Sequence, residues 1–128
     1  MGRSFNFPTS LRLKSKKQIE QLFTASQYIT VSPLLIKYLI LPTEGEIAMP
    51  PKVAFAVPKK KFPKAVVRNK LKRKMREAYR LNWRQKLVDL PNNKEIILIL
   101  LYHSKEIMSY QKIETALILG LDKLMKSM

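Results

Sequence analysis

The chain has 128 residues, 46% of them hydrophobic, with 25 lysines and arginines against 9 acids, a formal net charge of +16 and no cysteine. That length supports one modest core and hence a single domain over residues 1–128, and the charge calls for a polyanionic partner, nucleic acid before an anionic membrane. Without cysteine there is neither a disulfide frame nor a thiolate metal site; with no apolar leader and no run approaching about 18 apolar residues, a signal peptide and a membrane span are also excluded, so a soluble cytoplasmic protein is expected.

Residues 1–14 mix basic and aromatic side chains with Pro8 and read as an irregular arm that covers a surface. Ser15 followed by Gln18 is a capping-box pattern, and Ile19, Leu22 and Phe23 then form one apolar stripe, so a short amphipathic helix is expected up to about Ala25. Leu34 to Leu41, bounded by Ser32-Pro33 and Pro42, has the composition of a strand. Alternation sets Lys37 opposite Ile36 and Tyr38. The Pro- and Gly-containing segment Pro42 to Pro51 is a loop carrying Glu44 and Glu46, expected to point away from a polyanion. Lys52 to Val57 is a second strand, for which antiparallel hairpin pairing with the first is the economical arrangement.

Lys59 to Lys86 holds more than half of the lysines and arginines and a single acid, Glu77. At about 100° per residue, Val67, Leu71, Met75, Ala78 and Tyr79 share one arc of a helix. Lys72, Arg73, Arg76, Arg80 and Arg84 fall on the opposite arc, with Arg68 at the border. Stacked like charges at i and i+4, as in Arg68, Lys72, Arg76 and Arg80, destabilise an isolated helix by a few tenths of a kcal/mol per pair, a cost that a phosphate partner would convert into binding. After the stop signal Asp89 to Asn93, Glu95 to Tyr102 contains a continuous apolar run, the pattern of a strand buried on both faces. Parallel pairing of this strand with Lys52 to Val57 would make the basic helix the crossover of a βαβ unit. Ser109 then caps a last helix whose Ile113, Ala116, Leu117, Leu121 and Leu124 are spaced to pack on the sheet. The fold class is α+β: helix, two strands with room for a third, helix, strand, helix, around a small mixed sheet.

The order FAVPKKK followed by AVVRNKLKRKMREAYRL resembles the bacterial ribonuclease P protein component, most closely over residues 53 to 82. Two positions depart from that family's pattern: Lys70 stands where it has arginine, and the loop Lys61-Phe62-Pro63-Lys64 replaces a glycine-containing turn. The resemblance implies a left-handed βαβ crossover, against the right-handed form that generic chain physics favours. It implies a catalytic RNA partner that cleaves precursor tRNA at the 5′ end of the mature sequence with magnesium, held mainly by the RNA. On that reading Arg68, Asn69, Lys70, Lys72, Arg73, Arg76 and Arg80 bind RNA, Lys59, Lys60 and Lys61 extend the positive track, and Phe23 and Tyr38 stack on unpaired leader bases.

The residues themselves offer little hydrolytic chemistry. His103 is the only histidine, the carboxylates are scattered, and the three glycines form neither a phosphate-cradling loop nor a dinucleotide fingerprint. A binding protein with no catalytic residues, no small-molecule substrate and no membrane partner is expected. Composition alone fits a ribosomal protein or RNA chaperone equally well; the Arg68-Asn69 signature behind its strand and lysines is what separates the two.

Overall fold

In the computed structural model, residues 11–24, 27–43, 50–87 and 94–127 are described. Residues 1–10 of the arm, the acidic loop with Glu44 and Glu46, and the stop segment around Asp89 to Asn93 lie outside them. The elements are α1 (Lys16–Thr24), β1 (Gln27–Val31), β2 (Leu34–Pro42), β3 (Lys52–Ala56), α2 (Ala65–Lys86), β4 (Lys94–Tyr102) and α3 (Tyr110–Ser127).

The four strands form one mixed sheet in the order β1-β2-β4-β3. β4 takes an interior place because its apolar run has no polar face to give to water: Ile96 through Leu100 are all buried. It pairs antiparallel with β2 and parallel with β3, so α2 is the crossover between parallel strands. The expected hairpin between β2 and β3 does not form. β4 lies between them, and the hairpin partner of β2 is β1, joined through Ser32 and Pro33 with Val31 opposite Leu34.

Period-two alternation sorts the sheet's side chains into two cores. Leu34, Ile36, Tyr38, Val53, Ile96, Leu98, Leu100 and Tyr102 face α2 and α3, whose Leu71, Met75, Ala78, Tyr79, Ile113, Ala116, Leu117, Leu121 and Leu124 complete the main core. On the opposite face Ile97 and Ile99 meet Leu13 and Leu22, and α1 packs there. Residues 11–14 close the free edge of β3: Leu13 N–H donates to Val53 O at 3.0 Å, Leu11 enters the main core, and Leu13 enters the smaller one. An edge covered in this way cannot template another strand.

The helix starts follow the expected chemistry. Gln18 N–H donates to Ser15 Oγ at 3.2 Å at the start of α1, and Lys112 N–H to Ser109 Oγ at 3.3 Å at the start of α3. Gly120 of α3 lets that helix sit on β2: a Cβ there would overlap Ile36 Cδ1.

Candidate nucleic-acid interface

The basic segment begins with a loop that has a hydrophobic pin. Phe62 is buried, its ring meeting that of Tyr102 edge to face at 5.6 Å, and its N–H donates to Pro58 O at 3.1 Å. No described residue has a positive φ, so this turn needs no glycine. Lys59, Lys60, Lys61 and Lys64 all project from it exposed.

α2 carries its charges in two groups. On the side facing α3, each cation or donor already has a partner. Lys74 Nζ donates to Met108 O at 3.1 Å, Lys86 lies 3.2 Å from Asp122 Oδ1, and Asn82 Nδ2 donates to Glu114 Oε2 at 3.0 Å. Arg80 forms a two-point pair with Glu77; donating these hydrogen bonds to the carboxylate raises its pKa. The remaining cations lack carboxylate partners: Arg80 with Glu77 and Lys86 with Asp122 are the only ion pairs among the described residues. Asn69, Lys70, Arg73 and Arg84 are exposed, and Lys72 is partly so. Arg76 lies over the Phe55 ring at 5.9 Å. Burial first, and then the nearby charge of Arg12, hold its pKa below the ordinary arginine value. Arg68 directs Nη1 to the carbonyls of Phe62 and Pro63 at 2.9 and 2.7 Å.

On the other face of the sheet, Phe23 projects from α1 with 48% of its surface exposed, so its ring is not a core ring. Lys37 Nζ lies 5.4 Å from the centre of that ring and 3.4 Å from the Phe23 carbonyl, where it satisfies an acceptor at the end of α1.

Tyr38 corrects the expectation made for it. With 3% exposure it belongs to the main core, facing α2 and α3, and it is not available to stack on a base. Neighbouring strand residues point to opposite faces, so the side chain from this part of β2 that reaches the α1 side is that of Lys37. The structure therefore brings together Lys59 to Lys61, Arg68, Asn69, Lys70, Lys72, Arg73 and Arg76 along the loop and α2, sets Arg80 against Glu77, and leaves Phe23 on the opposite face. Sequence reasoning passed over Lys37 and Arg12 as functional candidates. The alternation in Leu11-Arg12-Leu13-Lys14 is the signal for Arg12, since a leucine on each side that enters the core leaves the arginine outside.

Comparison with known proteins identifies the family. Residues 7–125 match the family model described as Ribonuclease P. The chain is 32% identical over 116 residues to the ribonuclease P protein component of Porphyromonas gingivalis, covering 89% of this chain and 82% of that one. It is 41% identical over 69 residues to the component of Chlorobaculum tepidum, covering 53% and 45%. Its fold is similar to a structure of the Staphylococcus aureus RNase P protein, a mutant with defective mRNA degradation activity (TM-score 0.63, 22% identity, 91% of this chain and 88% of that one). The Thermotoga maritima RNase P protein is similar too (TM-score 0.62, 20% identity, 88% and 96%). The chain therefore belongs to the bacterial ribonuclease P protein family: it is the protein subunit of ribonuclease P, a ribonucleoprotein endoribonuclease of tRNA 5′ maturation in which its partner is an RNA.

Proposed function

We propose that the outward flank of α2, with the lysine loop ahead of it, docks on the catalytic RNA of ribonuclease P, while the α1 side of the sheet receives the unpaired 5′ leader of precursor tRNA. The observation that carries this reading is the division of charge on α2: the cations facing α3 are already partnered, whereas those of the loop and outer flank have no carboxylate among the described residues. Guanidinium and ammonium groups held this way bind phosphates and release counterions. The exposed amide of Asn69 can bond a base edge or a backbone oxygen. Phe23 offers a stacking surface worth roughly 1 to 3 kcal/mol per base, tolerant of sequence because every base has a π-face.

In this reading the protein breaks no bond. Among the described residues no group of three His, Cys, Asp or Glu could hold a metal ion, and His103 is exposed at the end of β4. Magnesium is assigned to RNA phosphates, where it would supply the activated water, and no step runs through a protein-bound ion. The chain's part is to hold the two RNAs together and to screen their mutual repulsion. No described helix is long and apolar enough to cross a membrane, and a ribonucleoprotein of the cytoplasm is the setting this reading proposes.

Reconstitution tests it. With a bacterial ribonuclease P RNA at magnesium too low for the RNA alone, addition of this protein restores cleavage of precursor tRNA at the 5′ end of the mature sequence. Failure to restore cleavage, or cleavage by the protein without RNA, would contradict it.

A further inference from the structure

We propose that Arg68 is a positioning residue for the lysine loop, fixing Pro58 to Lys64 against the first turn of α2 so that Lys59, Lys60 and Lys61 stand in line with the outer flank. The proposal rests on the RNA-docking reading above for its functional consequence, but its structural part stands apart from RNA.

The loop has a problem that its sequence creates. Four lysines within six positions, 59 to 64, with no acid among them, repel one another and favour an extended, mobile segment. Two fixings oppose this. One is apolar: the buried Phe62 ring on Tyr102, whose hydroxyl in turn donates to Glu106 O and accepts from Met108 N–H at 2.9 Å. The other is Arg68 Nη1, which donates to the carbonyls of the two successive residues Phe62 and Pro63 at 2.9 and 2.7 Å. Lys64, the residue before the first turn of α2, makes no side-chain cap, so besides the main-chain bond from Arg68 N–H to Lys64 O at 3.2 Å these carbonyl bonds are the side-chain tie between loop and helix. Lys74 Nζ on Met108 O, at 3.1 Å, continues the same tie to the segment leading into α3.

The chemistry asks for arginine. A planar guanidinium can put one nitrogen between two adjacent carbonyls while its other nitrogens remain directed elsewhere, whereas an ammonium on a flexible stem holds no such fixed plane. Arg68 also sits one turn before Lys72, so the group that secures the loop belongs to the charged row it aligns. Its effect on RNA binding should accordingly exceed that of one lost phosphate contact, and should depend on the loop lysines being present.

Two measurements test this. Limited trypsin digestion of the free protein compares cleavage after Lys59, Lys60 and Lys61 in wild type and Arg68→Lys, which keeps the charge. Loss of charge-assisted hydrogen bonds should raise cleavage there about tenfold relative to cleavage after Lys123; unchanged cleavage overturns the proposal whatever the RNA does. The second is a double-mutant cycle in binding to a bacterial ribonuclease P RNA transcript, combining Arg68→Lys with a triple Lys59→Ala, Lys60→Ala, Lys61→Ala variant. The triple variant should lose several-fold less affinity in the Arg68→Lys background than in wild type, while the effect of Lys72→Ala stays the same in both. Additive losses overturn the positioning role and leave RNA docking intact, since each variant then still weakens binding. If no variant weakens binding, the docking reading fails and the proposed alignment of the lysines has no RNA to serve.

Discussion

A phenylalanine ring and a tyrosine ring on opposite faces of one sheet do different work here. Phe23 is half-exposed on α1 with the Lys37 ammonium above it, and Tyr38 is sealed beneath α2 and α3. Phe23→Ala should therefore weaken binding of a precursor with a 5′ leader by roughly 5- to 150-fold, the worth of one stacked base, and leave a precursor without a leader and the thermal midpoint nearly unchanged. Tyr38→Ala should lower stability by about 3 to 5 kcal/mol, as expected for loss of a large core ring. Parallel binding and thermal-denaturation measurements check both; a Phe23→Ala variant that binds both precursors as wild type does would remove the stacking role. The difference between the rings was only partly legible in the sequence. The apolar stripe of α1 includes Phe23 but cannot say which of its members the sheet covers, and alternation correctly sets Tyr38 on the face of Leu34 and Ile36 without saying that α2 and α3 cover that face.

At the scale of elements, α3 meets the sheet through Gly120. Gly120→Ala should destabilise the protein by about 1 to 3 kcal/mol because the added methyl overlaps Ile36. The penalty should shrink in an Ile36→Val background, which removes that Cδ1; equal penalties in denaturant titrations of both backgrounds would show that the close approach is not the cause. The seam between α2 and α3 also sets an alkaline limit. Burial first, and then the Glu114 carboxylate that accepts its hydrogen bond at 3.1 Å, push Tyr110 up to about 12, and burial raises Tyr79 and Tyr102 as well. The folded state favours the neutral phenols, so this stability is complete below the ordinary tyrosine value near 10 and is lost as pH rises from there through about 12. Tyrosinate absorbance should show these phenols ionising only as the fold is lost, and Tyr110→Phe should weaken the pH dependence of stability in that window.

Helix faces and caps were readable because they are local. The core face of α2 and the caps at Ser15 and Ser109 follow from spacing alone. The parallel pairing of β3 with β4 across α2 was already suggested by the sequence, but the partner of β2 was not, because β2 and β3 are close in sequence while the strand that separates them comes after α2. β1 is short, with three of its five residues exposed, so it lacked the apolar run that marks a strand. The clamp of Arg68 on two carbonyls was equally hidden, because main-chain acceptors leave no trace in residue identity.

For the molecule as a whole, a net charge of +16 calls for a polyanion, and the proposed docking face follows from how the fold distributes the acids. The acids Glu77, Glu114 and Asp122 gather on the seam side of α2, where they meet Arg80, Asn82 and Lys86. Surface pairs of this kind add little stability; their consequence is that the acids near α2 are used up on the seam side, and the cations of the loop and the outer flank have no carboxylate partner among the described residues. Family membership decides against a free-standing ribosomal protein or RNA chaperone. The salt dependence of binding to a bacterial ribonuclease P RNA tests that account most directly. Lys72→Ala, Arg73→Ala and Arg76→Ala should each lower the slope of log affinity against log salt by roughly 0.7 to 0.9, while Lys74→Ala and Lys86→Ala leave it near the wild-type value. Equal slopes in wild type and all five variants, or losses confined to Lys74 and Lys86, would contradict docking by the outer flank of α2.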